Sequence, residues 1–357
     1  METINLSVVI PVYNVKENYL DQCIQSVIHL PINGVEIIVI NDGSNDLCSK
    51  QCDRYSQLYP NVQVIHQENK GVSFSRNIGL KQARGSWITF VDADDWVVAE
   101  TFADFYSNTK RYDADIVIGR NYYDWNGKKA PNHYDGDETE VIDQQKERLM
   151  EALFCGMSKQ YSSMAMPWAK LYRTDFLKRN GITFPLAIKV GEDGIFNFQA
   201  FHLASKIVVA DKLVYVYRQY DQSVSKSFHK DIPQNCRDLF LLYWHSLIEF
   251  KVLEQYKTYF SHLVIRYWEL YILNHYFVGR NQCVTLRQKI QDLYAILEPP
   301  NDIIYTAVNT RLYSNKQIKL LDDILQKKFY LIWVKISFLG ILKKLGKAKR
   351  LFQWNRG

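Results

Sequence analysis

The feature that most constrains this chain is the alternation of strand-like and helix-like patterns through its first hundred residues. LSVVIPVY (Leu6–Tyr13) is a short run of strand formers, and helical spacing follows from about Glu17 to Leu30. VEIIVIND (Val35–Asp42) is apolar on both faces, as in a parallel strand covered by helices on either side. A helix over about Ser44–Leu58, the strand Val62–His66, a helix over about Val72–Ala83 and the strand Ser86–Asp92 complete the series. Strands that alternate with helices predict right-handed crossovers and an α/β fold with a mainly parallel sheet sandwiched by helices.

Ligands of open α/β sheets sit just beyond the carboxyl ends of the strands. Those ends carry the unusual polar residues of this region. Tyr13 and Asn14 follow the first strand, Asn41-Asp42-Gly43-Ser44 the second, Gln67 to Gly71 the third, and FVDADDW (Phe90–Trp96) runs off the fourth. Four strand ends are thus expected to face one crevice. Neither a Walker-type phosphate loop nor the glycine fingerprint of dinucleotide folds is present in the sequence.

Asp92, Asp94 and Asp95 place three like charges within four positions. One aspartate suits a helix N-cap, but three repel one another and offset the capping gain. A divalent cation, Mn²⁺ or Mg²⁺, reverses that repulsion. It is held by one or two carboxylates and completes its shell with water and phosphate oxygens. The cluster therefore predicts a metal shared with a phosphorylated ligand. Tyr13 can stack on a base, Asp42 can accept from an imide N–H or a ribose hydroxyl, and Lys70 and Arg76 can offset phosphate or pair with the aspartates.

PVYN (Pro11–Asn14), EIIVINDGS (Glu36–Ser44), NKGVSFSRNIG (Asn69–Gly79) and VDADD (Val91–Asp95) resemble, in order and spacing, the motifs of family 2 glycosyltransferases of the A-type fold. The resemblance is close over residues 1 to about 100 and looser to about 227. It implies a Rossmann-like sheet and inverting transfer from a nucleotide-sugar donor, usually a UDP-sugar; the C-terminal helical region is read from the helical pattern that begins at about Gln234. Pro11, Val12, Tyr13, Asp42, Arg76, Asp92, Ala93 and Asp94 would bind the donor, with Asp94 on the metal; Asp95 would support them or cap a helix. The chain would divide into a donor-binding half (1–100), an acceptor-binding half (101–230) and a helical region (231–357).

Inverting transfer needs a base that takes the proton of the acceptor hydroxyl. GEDGIFNFQAF (Gly191–Phe201) offers Glu192 and Asp193 at the start of an apolar helical stretch, where adjacent carboxylates can push a pKa upward. From spacing alone, base and N-cap are equally good readings. The resemblance assigns the base to Asp193 and a supporting or acceptor-binding role to Glu192. MPWAKLYRTDFL (Met166–Leu177) resembles the acceptor-side segment, where Trp168 could face a sugar or pack in the core. VYVYRQYDQSVSKS (Val214–Ser227) resembles a segment that closes over the diphosphate, which makes Arg218, Ser223 and Ser225 candidates.

Charge is unevenly spread. Nine Lys or Arg and no acid lie between Gln326 and Gly357, leaving the rest of the chain slightly acidic despite a net charge of +6. That argues against a nucleic-acid protein with a basic body. Within the tail, Leu331, Val334, Phe338, Ile341, Leu345, Ala348 and Phe352 recur at helical steps. Two readings stay open: a terminal helix packed on the domain, or an interfacial helix on an anionic membrane, which would suit a lipid-linked glycan acceptor. The six cysteines form no disulfide framework, the N-terminus has no signal-peptide pattern, and no uncharged apolar run is long enough to span a bilayer, which predicts a cytoplasmic, peripheral location. The aromatic region after residue 234 could pair protomers in a homo-oligomer or cradle the acceptor. Outside the leading reading, a nucleotidyltransferase and a non-catalytic nucleotide-sugar-binding module remain alternatives.

Overall fold

The structure, a computed structural model, describes residues 3–132, 139–143, 146–156, 163–219, 231–277, 284–298 and 315–332. The chain divides into two compact units, residues 1–221 and 222–357. The first is an α/β unit with β1 (Leu6–Val12), α1 (Glu17–Ile28), β2 (Val35–Asp42), α2 (Asp46–Leu58), β3 (Val62–Gln67), α3 (Val72–Gln82), β4 (Trp87–Phe90), β5 (Trp96–Val97) and α4 (Ala99–Arg111). It continues with β6 (Ile116–Trp125), β7 (Lys128–Pro131), β8 (Glu140–Ile142), α5 (Glu147–Cys155), β9 (Lys170–Arg173), α6 (Thr174–Arg179), α7 (Glu192–Leu203) and β10 (Ile207–Gln219).

One sheet runs in the order β3-β2-β1-β4-β9-β6-β10-β5, with β7 on β6 and β8 on β10. The expected parallel pairing holds for β3-β2-β1-β4 and for β6 with β10. Between these blocks β9 lies antiparallel to both β4 and β6, so the second half of the sheet is mixed. Strand order reverses at β1, whose neighbours are β2 on one side and β4 on the other, and ligands of such sheets bind outside that point. The central strands are buried on both faces: every residue of β2 except Val35 is buried, which is why its sequence shows no alternation.

The segment IVVADKLVYVYR, which reads as two short strands, is one strand, β10. Both of its apolar runs pair with β6, and the register shifts between Val209 and Tyr215 absorb the polar interruption as a bulge.

The second unit is helical: α8 (Ile232–Glu249), α9 (Leu253–Tyr267) running on as π-helix over Trp268–Phe277, α10 (Leu286–Ile296) and α11 (Asn315–Leu325). Its abundant aromatics are core: Trp268 is fully buried and stacks on Phe329 with ring centroids 6.1 Å apart. Phe329 and Ile332 at the head of the basic tail are buried while Tyr330 and Leu331 are exposed; the tail beyond 332 lies outside the described residues. Among the described residues, no helix is long and apolar enough to cross a membrane.

Two glycines let the site elements approach. Gly43, at φ +70°, follows β2, and a Cβ there would lie 2.7 Å from the backbone nitrogen of Asn69. Gly79 lets α3 rest on β1, because a Cβ would meet Val9 Cγ1 at 2.2 Å. Gly79→Ala is therefore expected to destabilise the chain by about 1–3 kcal/mol through overpacking. In the Gly79→Ala/Val9→Ala double variant, where space is returned, part of that loss should be recovered. Urea denaturation of the four chains of the cycle measures this; strictly additive losses would show that Val9 is not the obstacle.

Candidate active site

The four parallel strand ends meet as the sequence implies, and their loops are tied to one another. Ser44 Oγ donates to the Val12 carbonyl at 3.3 Å and accepts from the Asn14 N–H at 3.1 Å, while the Asn45 N–H donates to Asn14 Oδ1 at 2.8 Å. Asn14 takes a left-handed φ of 50°, which asparagine tolerates better than most residues. Tyr13 projects from this joint and is 55% exposed, a free ring at the mouth of the crevice, while Val12 is buried and Pro11 half-buried.

Asp42 is buried and already engaged. Its Oδ1 accepts from Gln67 Nε2 at 2.7 Å and from the Lys70 N–H at 2.8 Å, and its Oδ2 accepts from the Gly71 N–H at 2.8 Å. Of the roughly four acceptor sites of a carboxylate, three are used by its own chain. Asp42 shapes the turn into α3.

The three aspartates after β4 have three different environments. Asp95 is fully buried; its Oδ2 accepts from the Tyr215 hydroxyl at 2.7 Å and its Oδ1 from the Arg218 N–H at 2.8 Å. The same hydroxyl accepts from the Asp92 N–H at 3.1 Å. Burial first, then the charges of Asp94 and Asp92, push the Asp95 carboxyl well above the usual range. It caps no helix, since α4 begins at Ala99 with Val98 as its N-cap. Asp95 instead braces the loop that presents Asp92, the buried Ala93 and the half-buried Asp94.

Arg218 is part of that brace. Its Nε donates to the Asp94 carbonyl at 2.8 Å and an Nη to Gln22 Oε1 at 2.7 Å, and its guanidinium lies 3.9 Å from the ring centroid of Tyr19 and 4.6 Å from that of Trp96. The donor set in this corner fits a hard dication. Among the described residues no three His, Cys, Asp or Glu side chains gather as a metal cage, so a cation would rest on Asp94, with Asp92 beside it, and on phosphate oxygens of a ligand. The surplus negative charge that raises Asp95, and contributes to raising the Cys23 thiol after burial, is what a cation would relieve.

Opposite this corner stands α7. Glu192 and Asp193 occupy its first turn, after Gly191 at φ +96°, and both are turned toward Arg76 of α3. Arg76 is buried at 3% exposure. One Nη donates to Asp193 Oδ1 at 2.6 Å and stands 3.6 Å from Glu192 Oε1, and the other donates to Asp92 Oδ1 at 2.8 Å. Its face lies 5.3 Å from the ring centroid of Phe184. One cation thus joins the aspartate corner to the acids of α7, with Arg76 itself 117 residues from Asp193 in sequence.

Burial pushes Asp193 up to about 6 against the attraction of Arg76, and burial together with Asp193 pushes Glu192 up to about 8. Near neutrality Asp193 is ionised and more basic than a free aspartate, while Glu192 holds a proton. The two helix-start acids therefore do not act as ordinary caps; Asp193 spends its Oδ1 on Arg76.

The structure does not bring Trp168 to the crevice. It is 2% exposed and stacks on Tyr215 at 4.7 Å and 1°, so the packing alternative holds and no ring face is offered to a sugar. Ser223 and Ser225 lie outside the described residues. Sequence reading missed Tyr215, Asn197 and Lys170, which support the site from behind. Tyr215 looks like any strand aromatic, and only the proximity of Asp95 gives its hydroxyl a role.

Residues 7–179 match the model of the family described as Glycosyl transferase family 2. Similar proteins include glycosyltransferase GlyA of Streptococcus pneumoniae serotype 4, 33% identical over 62% of this chain and 31% of GlyA, and EpsH of Bacillus subtilis, 29% identical over 84% of this chain and 85% of EpsH. The segment 7–179 is a family 2 glycosyltransferase domain. It spans about a third of the length of GlyA. Its fold is shared with residues 1–349 of Staphylococcus aureus TarS, solved in complex with UDP-GlcNAc, at a TM-score of 0.69 and 21% identity over 99% of this chain and 93% of that one. The crevice just described lies at the strand ends of this family 2 domain, with α7 completing it from beyond residue 179.

The proton on Glu192 has a stability consequence with a definite sign. Its folded pKa of about 8 exceeds its ordinary value of 4.5, so the folded chain loses stability as pH rises across that window. Glu192→Gln removes the penalty. The variant is expected to melt above the wild type at pH 8, by at most about 1.4 kcal/mol per pH unit of the window, and to converge with it near pH 4.5. Thermal scans at both pH values test this; a difference independent of pH would contradict it.

Proposed function

We propose that the chain transfers a sugar from a nucleotide diphosphate donor, a UDP-sugar, to a hydroxyl of a glycan acceptor, with inversion at the anomeric carbon. The observation that carries this reading is the Arg76 bridge, which sets the aspartate corner opposite a half-buried, ionised Asp193. The fold shared with a protein solved with UDP-GlcNAc supports the donor class.

In this reading the exposed Tyr13 ring stacks on the base, beside Pro11 and Val12. Asp42 keeps the 67–71 turn and the head of α3 in place and offers its last acceptor site to the base. Asp92 and Ala93 face the ribose and Asp94 holds the diphosphate side. When bound, Mn²⁺ or Mg²⁺ on Asp94 supplies Lewis acidity for the departing diphosphate. Asp193 takes the acceptor proton, because it is ionised above about 6 and its half-buried side chain stays reachable from the crevice. Glu192, still protonated, can donate a hydrogen bond to the acceptor. Arg218 acts by bracing the aspartate loop.

The acceptor is a lipid-linked glycan in surface-polysaccharide synthesis, and the basic tail holds the chain peripherally at an anionic membrane on its cytoplasmic side. One relative, TarS of Staphylococcus aureus, is a poly(ribitol-phosphate) beta-N-acetylglucosaminyltransferase, which supports a polymeric acceptor.

A panel of nucleotide sugars with Mn²⁺, read by nucleoside diphosphate release and by mass spectrometry of products, tests the proposal. Asp94→Asn should abolish donor turnover, and chelation with EDTA should do so reversibly. Asp193→Asn should keep donor affinity within about threefold while lowering transfer by about 10²–10⁴-fold, the usual contribution of a general base. Binding without turnover across the whole panel would favour a non-catalytic module, and formation of a nucleoside triphosphate and sugar 1-phosphate when inorganic pyrophosphate is added would favour a nucleotidyltransferase.

A further inference from the structure

Lys170 is the residue whose position ordinary packing does not explain. It opens β9, the strand inserted between β4 and β6, and its side chain is buried at 2% exposure. Nζ donates to the Met166 carbonyl at 2.6 Å and to the Ser163 carbonyl at 3.2 Å, with no carboxylate among these partners. An ammonium in such a place is costly, and a methionine would fill the same volume without the desolvation penalty.

The Met166 carbonyl leads to Asp193. Met166 O also accepts from Asn197 Nδ2 at 3.1 Å, and the same Nδ2 reaches Ala165 O at 2.8 Å and the Asp193 carbonyl at 3.2 Å. Asn197 is held from its other end by the Tyr172 hydroxyl, 2.7 Å from Oδ1. Lys170 and Tyr172 of β9 thus grip the first turn of α7 through one asparagine. The residues whose charge or titration bears on Asp193 are Arg76 of α3, Asp92 after β4, Glu192 of its own helix, and Lys170 and Tyr172 of β9. With Glu192 and Lys170 both protonated, Arg76 and Lys170 balance Asp92 and Asp193, two charges against two. Without Lys170, Arg76 alone would face both.

We propose that Lys170 is a positioning residue for Asp193: it locks the start of α7 through Met166 and Asn197, and its charge keeps the Asp193 carboxylate ionised in a buried site. The inference rests on Asp193 being the base of the proposed reaction. It agrees with the opposed shifts of the two groups, since burial presses Lys170 down to about 7 and Asp193 up, while each holds the other back.

Carboxyl- and ε-¹³C NMR on the full chain, labelled at Asp and Lys, tests it without any ligand. The Asp193 signal is assigned by its loss in Asp193→Asn and the Lys170 signal by its loss in Lys170→Arg. In Lys170→Met the Asp193 midpoint should rise by about one pH unit, the low end for removal of a nearby opposite charge. In Lys170→Arg it should stay near the wild-type value. An unmoved midpoint in a folded Lys170→Met overturns the proposal. Should that variant fail to fold, the reciprocal reading decides: in Asp193→Asn the Lys170 midpoint should fall, and an unchanged one overturns the proposal. Full transfer by Asp193→Asn would instead sink the assignment of the base, a separate readout from this titration.

Discussion

The Arg76 guanidinium sits in the interior against Asp92, Asp193 and Glu192, drawn from two distant stretches of chain. Ionised acids here would be costly to bury alone, and removing Arg76 would leave them unpaired at a cost of about 3–5 kcal/mol. The cation can satisfy all three only if α3 lies tightly on β1, which Gly79 permits, and only if α7 starts opposite the end of β4. The site geometry and the packing of the α/β unit are for that reason one problem. A shift of α3 large enough to admit a Cβ at position 79 would move the cation away from one side of the crevice.

Around that bridge, charges are separated by burial. Asp94 stays half-buried, Asp92 is tied to Arg76, and Asp95 is withdrawn from solvent and braced by Tyr215 and Arg218. Three neighbours in sequence thus meet three environments, and three roles follow. On α7 the same logic divides an adjacent pair: one acid keeps its proton near neutrality and the other does not. Buried carboxylates that differ in this way can hold and accept protons at the same pH.

Much of this was legible before any coordinates. Strand–helix alternation placed the polar loops at one edge of a sheet, and the ends of β1, β2, β3 and β4 do meet there. Asp92 stood out in a cluster of like charges and Arg76 as a cation able to pair with it, while Asp193 was singled out by the family resemblance, spacing alone leaving base and N-cap equal. Two features were not legible. Trp168 is an aromatic with two good uses, and only its stacking on Tyr215 shows that it is core. Lys170 looks like a surface lysine in a short polar-edged strand, because nothing local reveals that β9 is inserted antiparallel in mid-sheet.

The amino-acid sequence by itself determined the α/β class, the donor-side strand ends and the identity of the charged residues, since these follow from periodicity and from residue chemistry at fixed local spacing. Which carboxylate pairs with which cation, which acid retains its proton, and which lysine lies inside were decided only by tertiary structure. These depend on burial and on contacts between residues about a hundred positions apart, and a pKa is set by the surroundings of a group rather than by its neighbours in the chain.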